Sequence, residues 1–455
     1  MRITWLIILL GMGTAAFASP AVHEFTLDNG LKILIKEDHR APVVVSQIWY
    51  KVGSSYEPSG LTGMSHLLEH MMFKGTPQYG PGEFARLISA NGGSQNAFTS
   101  RDYTAYFQRL AKDRLAVSFR LEADRMRHLL LAEEDFAKEK QVVIEERRLR
   151  TEDAPDSLTY EQFNAAAYFT SPYRNPVIGW MQDLQALEAG DLRRWYQQWY
   201  APNNAILVVV GDVEPPAVLA LAKEYFGPLP PSDLPELKPA EDILQRGERR
   251  LVVKAPAELP YVILGYQTPV LKTAEQSWEP YALEVLAGIL DAGDSSRLSR
   301  HLIRGSQVAA SAEASYSLTS RLGERFILAA NPAPGRDAAQ VEQALREQVG
   351  HLREEPVSAE ELARVTAQVI AAEVFQRDSM FYQGMRLGIL ETVGLGWSAL
   401  DDYVERIKAV TPEQVQEVAR RYLTDDRLTV AMLEPQPLAG ARPRPLGGIP
   451  GAVIQ

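Results

Sequence analysis

Two histidines and a glutamate lie within the pentapeptide HLLEH, residues 66–70. The surrounding segment 64–74 (MSHLLEHMMFK) is rich in helix formers and lacks glycine and proline, which predicts a helix. Residues four apart share a helix face, so His66 and His70 can bind the same cation. Glu69 lies beside that face, within reach of a metal-bound water. The pattern predicts a zinc hydrolase site; the alternative is a chance match of surface or packing histidines.

A third ligand is needed, because catalytic zinc usually has three protein ligands and one open position. The segment 133–150 (EEDFAKEKQVVIEERRLR) is predicted to be a long charged helix with several carboxylates. Glu139 and Glu146 are seven residues apart and share one face of that helix, whereas Glu145 points away from it. The alternative for such a segment is a solvated face stabilised by acid–base pairs.

Three motifs together resemble the pitrilysin/insulinase family of zinc metallopeptidases, whose histidines and glutamate have the inverted HxxEH order of inverzincins. The motifs are HLLEHMMFKGT (66–76), NGGSQNAFTSRDYTAYF (91–107) and the EK…VVIEER helix. The bacterial small-subunit branch, related to mitochondrial processing peptidase, is the most similar. The resemblance extends over almost the whole chain after the N-terminal segment and is tighter in the first half.

The resemblance implies a site with one Zn2+ per chain and with Glu69 as general base. In this family the third ligand follows the second histidine by about 76 residues, which corresponds to Glu146, with Glu145 as the neighbouring rival. A supporting acid seven residues earlier corresponds to Glu139. A carboxylate in that position orients the metal ligands.

Residues 91–107 are predicted to form a turn and then an alternating strand. In the family this strand lies at a sheet edge beside the metal, where an extended peptide substrate adds to it through backbone hydrogen bonds. The resemblance implies that Asn96, Ala97 and Phe98 lie along the substrate. The alternative is an ordinary edge strand in which the two glycines at 92 and 93 serve the turn.

The second half departs from the family pattern. Members that close over substrate carry an arginine and, seven residues later, a tyrosine, which support the substrate carbonyl. In SSRLSRHLIRGSQVAAS (295–311) the arginine corresponds to Arg304, but the later position is Ser311, and Tyr316 is out of register. A serine hydroxyl is too short to replace a phenol. Arg304 could instead form a structural ion pair.

The departure bears on assembly. The family's working unit has four such domains that enclose a chamber, and this chain corresponds to one half of that clamshell. We therefore predict a dimer, either a homodimer or a heterodimer with a related subunit that supplies the Arg/Tyr pair. A non-catalytic subunit of the same fold and a periplasmic metal- or peptide-binding protein are the alternatives. The presence of all four candidate site residues favours the hydrolase.

The N-terminal segment and the composition indicate a location. Residues 1–18 are predicted to be a secretory signal peptide, with Arg2, an apolar run and an AFA cleavage site at 16–18. The apolar run of about ten residues is too short to span a bilayer. The chain has no cysteine, which excludes disulfides. These features predict the periplasm of a Gram-negative bacterium. The net charge of −11 argues against nucleic acid as a partner.

The predicted fold class is α+β, with two homologous domains, each a mainly antiparallel sheet packed with long helices. Segments 197–215 and 419–435 each show a helix, a tyrosine, a polar turn, a strand and a proline, which indicates a repeat. Strands are predicted over 24–37 and 42–52. The predicted division is a signal peptide (1–18), an N-terminal zinc-binding domain (19–227), a proline-rich linker (228–239), a C-terminal domain (240–435) and a flexible tail (436–455).

Overall fold

The computed structural model describes residues 22–238 and 240–437. The predicted signal peptide and nearly all of the predicted tail lie outside the described residues. Within the described ranges, eleven strands form one sheet of six strands and one of five. No helix in these ranges is both long enough and apolar enough to cross a membrane.

The first sheet has the strand order β1-β2-β6-β3-β5-β4. Its central strand reads AILVVVG and is buried on both faces, which explains why its sequence is apolar without alternation. The strands are β1 (Val22–Thr26), β2 (Lys32–Glu37), β3 (Val43–Tyr50), β4 (Ser94–Thr99), β5 (Thr104–Ala111) and β6 (Ala205–Gly211). The helices are α1 (Met64–Met71), α2 (Glu83–Ala90), α3 (Leu115–His128), α4 (Glu133–Arg147), α5 (Pro155–Ala167), α6 (Met181–Ala186), α7 (Ala189–Trp199) and α8 (Pro215–Tyr225).

The second sheet has the order β7-β11-β8-β10-β9. Its strands are β7 (Arg249–Pro256), β8 (Tyr261–Thr268), β9 (Ala309–Ser315), β10 (Glu324–Pro332) and β11 (Leu428–Gln436). The helices of this half are α9 (Glu279–Asp291), α10 (Ala338–Glu354), α11 (Ala359–Gln376), α12 (Met380–Thr392), α13 (Tyr403–Lys408) and α14 (Pro412–Tyr422).

The two sheets share one topology. Apart from the additional edge strand β1, the order β2-β6-β3-β5-β4 matches β7-β11-β8-β10-β9 strand for strand. Each of these five-strand sets has one parallel pair, β2 with β6 and β7 with β11, and is otherwise antiparallel. The prediction of an α+β chain with two homologous, mainly antiparallel domains is confirmed.

Each half contributes a helix to the other half's sheet. Helix α5 packs on β7, β8 and β11, and α12 packs on β3 and β6. Both contacts need glycine, since there is no room for a side chain. A Cβ atom at Gly265 would lie 2.2 Å from Cζ of Phe163 on α5, and a Cβ atom at Gly388 on α12 would lie 2.1 Å from Cε2 of Trp49. These reciprocal contacts hold the two halves together.

Some predicted elements have different bounds in the structure. The single strand predicted over 24–37 is wrong, because a turn separates β1 from β2 and the two pair as a hairpin. The helix predicted over 133–150 is regular only to Arg147 and continues as a π-helical turn, Arg148–Glu152. The described part of the predicted linker has no helix or strand. Ser232 within it exchanges backbone hydrogen bonds of 2.8 and 3.0 Å with the side chain of Asn203.

Candidate metal centre and substrate cleft

Helix α1 carries the HLLEH motif, with its apolar residues facing the core. Leu67, Leu68 and Met71 are fully buried, so the opposite side presents both histidines and Glu69 to a cleft between the two domains. The cleft has a volume of about 1830 Å³ and is lined by residues of both halves. The predicted helix over this motif is present, although it ends three residues earlier than its predicted end.

The start of α1 is fixed from outside the helix. The N-cap residue is Gly63, which has the left-handed conformation (φ 89°) and has no side chain to accept a capping hydrogen bond. The buried carboxylate of Glu57 instead accepts hydrogen bonds from the backbone N–H groups of Gly63 (2.7 Å) and Ser65 (2.6 Å). Burial raises the pKa of Glu57 to about 7, against these N–H groups, which lower it. Sequence reasoning missed this residue, because Glu57 lies six residues before the N-cap Gly63 and outside the spacing of a capping signal.

Helix α4 presents two glutamates to the histidines. Glu146 Oε2 is 3.9 Å from Nε2 of His66 and 3.5 Å from Nε2 of His70. Glu139 Oε2 is 3.3 Å from Nδ1 of His70. Glu145, the rival candidate, is largely exposed and pairs with an arginine of its own helical segment. The structure therefore brings Glu146, and not Glu145, to the histidines.

The three converging side chains fit a zinc ion. One ligand atom each from His66, His70 and Glu146 lies within 4.8 Å of the other two, and no other such group of three occurs among the described residues. Two ligands of a tetrahedral zinc ion, each about 2.1 Å from it, are about 3.4 Å apart. The distances from Glu146 to the imidazoles are close to that value. Two imidazole nitrogens and one carboxylate oxygen are also a donor set that zinc accepts.

His66 and Glu146 favour the protonation states that a metal needs, whereas a protonated His70 would have to release its proton on metal binding. Burial, together with the neighbouring His70, lowers the pKa of His66 to about 4, so this imidazole is neutral at neutral pH and can donate a lone pair. Burial opposes charge on His70, but the proximity of Glu146 raises the pKa of His70 overall. Burial also opposes charge on Glu146, yet His70 and the charges around it keep the pKa of Glu146 below its ordinary value. Glu146 is therefore an anion.

Further charges hold the two glutamates of α4. Lys74, just after α1, lies 2.5 Å from Oε1 of Glu139, whose other oxygen faces His70. Arg150 lies 2.7 Å from Oε1 of Glu146 and leaves Oε2 for the histidines. In each carboxylate one oxygen contacts a cation and the other faces an imidazole. These two contacts fix the orientation of the carboxylate.

Glu69 stands next to the histidines and is held by the edge strand. The hydroxyl of Thr99, the last residue of β4, donates a 2.6 Å hydrogen bond to Oε2 of Glu69. Burial raises the pKa of Glu69, against this hydrogen bond, which lowers it. A carboxylate whose pKa is raised toward neutrality is suited to accept and release a proton. Thr99 belongs to a motif that sequence analysis singled out, but its contact with Glu69 was not foreseen.

Strand β4 is an edge strand, as the resemblance implied. It pairs with β5 on one side, and no strand within residues 22–238 and 240–437 pairs with its other edge. Asn96, Ala97 and Phe98 all line the cleft. The free backbone edge therefore runs along the cleft toward Glu69.

The candidate residues of the second domain lie elsewhere. Arg304 is exposed on the π-helical turn Ser299–Gly305. Ser311 on β9 hydrogen bonds with Asn331 (2.9 Å), and neither Arg304 nor Ser311 is among the described residues that line the cleft. Tyr316 does line it, but its hydroxyl donates to the carbonyl of Pro269 (2.6 Å). Within one chain, no Arg/Tyr pair of these residues meets the histidines.

The repeated α+β domains, the two histidines of an HxxEH helix and the glutamate that a second helix brings to them define a class of two-domain metalloprotease-like proteins. Comparisons with known proteins agree. A family model described as Insulinase (Peptidase family M16) matches residues 32–180, and one described as Peptidase M16 inactive domain matches residues 186–369. The zinc protease PqqE of Helicobacter pylori is 32% identical and covers 94% of this chain and 97% of its own length. The chain belongs to the insulinase family, peptidase family M16.

Other relatives extend the likeness. The uncharacterized zinc protease YmxG of Bacillus subtilis is 27% identical, over 91% of this chain and 98% of its own length. The crystal structure of a protease from Helicobacter pylori has a TM-score of 0.86 at 30% identity and covers 91% of this chain and all of that one. The periplasmic protease PqqL from Escherichia coli shares the fold, with a TM-score of 0.77 at 19% identity, over 92% of this chain and 49% of that one.

Proposed function

We propose that this chain is a zinc-dependent endopeptidase that hydrolyses peptides or small unfolded proteins. The observation that carries the proposal is the convergence of His66, His70 and Glu146 within 4.8 Å beside a buried glutamate, Glu69, that faces the cleft. The names of the homologous zinc proteases support it. A binding protein would not need a second carboxylate with a raised pKa next to the ligands.

The residues of the site have separate roles in the proposed reaction. His66, His70 and Glu146 would hold one Zn2+, and a zinc ion supplies Lewis acidity, which acidifies water and polarises a carbonyl. Glu69 accepts the proton of the attacking water and passes it to the leaving amine. The hydroxyl of Thr99 holds the carboxylate of Glu69 in the orientation for both transfers.

Substrate binding is proposed along β4. An extended peptide would pair with the free backbone edge at Asn96, Ala97 and Phe98, which gives affinity with little dependence on side chains. The cleft of about 1830 Å³ has room for an extended peptide segment beside this edge. These features favour unfolded chains and peptides as substrates.

A glutamine at position 69 tests the function. Glu69→Gln is expected to retain zinc while cleavage of a quenched peptide falls at least about 100-fold, the lower end for loss of a general base. The matched control is Glu134→Gln, an exposed glutamate of α4 that pairs with Lys138 and does not line the cleft, which is expected to cleave normally. Chelation is expected to abolish cleavage, and added zinc to restore it. A zinc-loaded Glu69→Gln enzyme with normal turnover would refute the assignment. Zinc binding without any wild-type cleavage would favour a binding protein.

We also propose that the working unit is a dimer. The support is that Arg304 lies outside the cleft of its own chain and that Ser311 replaces the tyrosine of the family pattern. In a heterodimer, a related subunit that supplies an Arg/Tyr pair would complete the site. The alternative assembly is a homodimer of this chain. Sedimentation of the purified chain, alone and with co-purified proteins, measures this, and a fully active monomer would contradict it.

The proposed location is the periplasm of a Gram-negative bacterium. The signal-like sequence of residues 1–18 supports it. Cell fractionation with an antibody to the chain tests it, and recovery of the protein with intact residues 1–18 in the cytoplasm would contradict it.

A further inference from the structure

An arginine of the second domain reaches into the first domain beside the cleft. Arg321 precedes β10, and its side chain is largely buried. Its Nε donates to Oδ1 of Asp102 (3.0 Å), and its Nη2 donates to the hydroxyl of Ser55 (2.7 Å). The guanidinium also lies over the ring of Tyr56, with 4.4 Å between Cζ and the ring centroid. One side chain therefore holds two separate segments of the other domain.

These two segments flank the proposed catalytic elements. Asp102 lies in the turn that joins β4 to β5, and Ser55 lies in the 3-10 turn Ser54–Tyr56, upstream of α1. The segments are hydrogen bonded to each other, since the N–H groups of Ser54 and Ser55 donate to the carbonyls of Ser100 (3.1 Å) and Arg101 (2.8 Å). Arg321, from the second domain, hydrogen bonds to both turns and so links them.

The turn is continuous with the contact on Glu69. Thr99, whose hydroxyl donates to Glu69, immediately precedes the turn. The turn itself is closed by the 2.8 Å bond from the N–H of Ser100 to the carbonyl of Tyr103. A displacement of Asp102 would therefore move Thr99, and with it the end of the strand proposed to bind substrate.

Asp102 depends on this arginine. Its carboxylate is buried and also accepts hydrogen bonds from the hydroxyls of Ser55 and Tyr173. A second cation, Arg101, lies in the same turn and contacts Glu324 of β10 at 3.3 Å. Loss of the Arg321 side chain would leave Asp102 as a buried anion without its guanidinium partner, held only by the two hydroxyls and by the backbone N–H of residue 321 (3.3 Å). The turn would then have to open toward water to solvate that charge.

We propose that Arg321 is a positioning residue for peptide hydrolysis. It fixes the turn at residues 100–103, and this turn maintains the hydrogen bond from Thr99 to Glu69 and the position of β4 beside the metal ligands. The inference rests on the proposed function for its catalytic consequence. It assigns the second domain, whose family model is described as inactive, a direct part in the geometry of the catalytic half.

The experiment combines kinetics with hydrogen exchange. Arg321→Gln removes the charge, and Arg321→Lys keeps it but cannot reach both Asp102 and Ser55. The control is Arg297→Gln, an arginine of equal exposure that pairs with Glu361 (2.7 Å) inside the second domain. Amide exchange of residues 94–103 is measured by mass spectrometry, and kcat and KM are measured with a quenched peptide.

Arg321→Gln is expected to speed exchange over residues 94–103 by at least about 10-fold. It is also expected to lower kcat/KM by about 10- to 100-fold, since misplacing a reacting group by 1 Å can cost up to about 100-fold. Arg321→Lys is expected to have smaller effects on the exchange rate and on kcat/KM than Arg321→Gln. Arg297→Gln is expected to change neither the exchange rate nor kcat/KM. If Arg321→Gln does not fold, Asp102→Asn is expected to give the same pattern.

Unchanged exchange over residues 94–103 overturns the inference, and so does faster exchange with unchanged kcat/KM in an active enzyme. A wild-type protein without zinc-dependent cleavage refutes the proposed function instead. In that case the exchange data still decide whether Arg321 holds the turn.

Discussion

Replacement of Glu139 by glutamine should weaken zinc binding without touching a ligand. Oε2 of Glu139 faces Nδ1 of His70 at 3.3 Å, and Lys74 holds the other oxygen at 2.5 Å. A carboxylate in this position fixes the imidazole tautomer that leaves Nε2 free for the metal and raises the basicity of that nitrogen. Glu139→Gln keeps the size of the side chain but removes its charge.

The expected magnitude follows from comparable sites. Loss of a carboxylate that supports a metal-bound histidine costs about 10- to 100-fold in metal affinity. Since each tenfold change is about 1.4 kcal/mol, the zinc complex of Glu139→Gln should be less stable by about 1.4–2.8 kcal/mol. The 3.3 Å distance to His70 indicates a moderate hydrogen bond, so we expect the lower half of that range.

Competition with a chromogenic zinc chelator at fixed pH measures the dissociation constant. Glu145→Gln is the control, because that glutamate is on the same helix but pairs with Arg148 and is largely exposed. The reasoning is refuted if Glu139→Gln binds zinc as tightly as the wild type, or if Glu145→Gln loses as much affinity as Glu139→Gln.

Three further predictions concern the base, the domain contact and a buried acid. Thr99→Val removes the hydrogen bond that lowers the pKa of Glu69, so the acidic limb of the kcat/KM profile should move to higher pH, whereas Thr99→Ser should leave it in place. Gly388→Ala should cost about 1–3 kcal/mol in urea unfolding, because its Cβ would overlap a buried tryptophan, whereas Gly350→Ala, where a Cβ meets open space, should be neutral or stabilising. Burial raises the pKa of Glu284 from 4.5 to about 7, so the folded chain binds this proton more tightly and stability should fall as pH rises between those values. Glu284→Gln should remove that fall, up to about 3 kcal/mol, in unfolding curves at pH 4.5 and 8.

Local pattern was sufficient to predict the helix that carries His66 and His70. Residues at spacing four on a helix must share a face, so His66 and His70 could be paired from the sequence alone. The same geometry placed Glu139 and Glu146 on one face of α4, and the structure turns that face to the histidines. The repeat of helix, polar turn and strand at the end of each half likewise predicted two equivalent sheets, which the topology confirms.

Contacts between distant segments had no local signal. Glu57 caps α1 across a loop, Thr99 meets Glu69 only because β4 lies beside α1, and Arg321 reaches Asp102 across the domain boundary. None of these residues stands out by spacing or periodicity, since their partners are set by tertiary packing. The π-helical turn after Arg147 was missed for a different reason: its residues are mostly good helix formers, so the local sequence predicts that the regular helix continues.

Zinc-edge anomalous diffraction from crystals of the zinc-loaded protein tests the central claim most directly. The account predicts one strong peak per chain, about 2.0–2.2 Å from Nε2 of His66, Nε2 of His70 and a carboxylate oxygen of Glu146, with a remaining position open to the cleft. A peak elsewhere, or a zinc ion at the histidines with Glu146 turned away from it, would contradict the account.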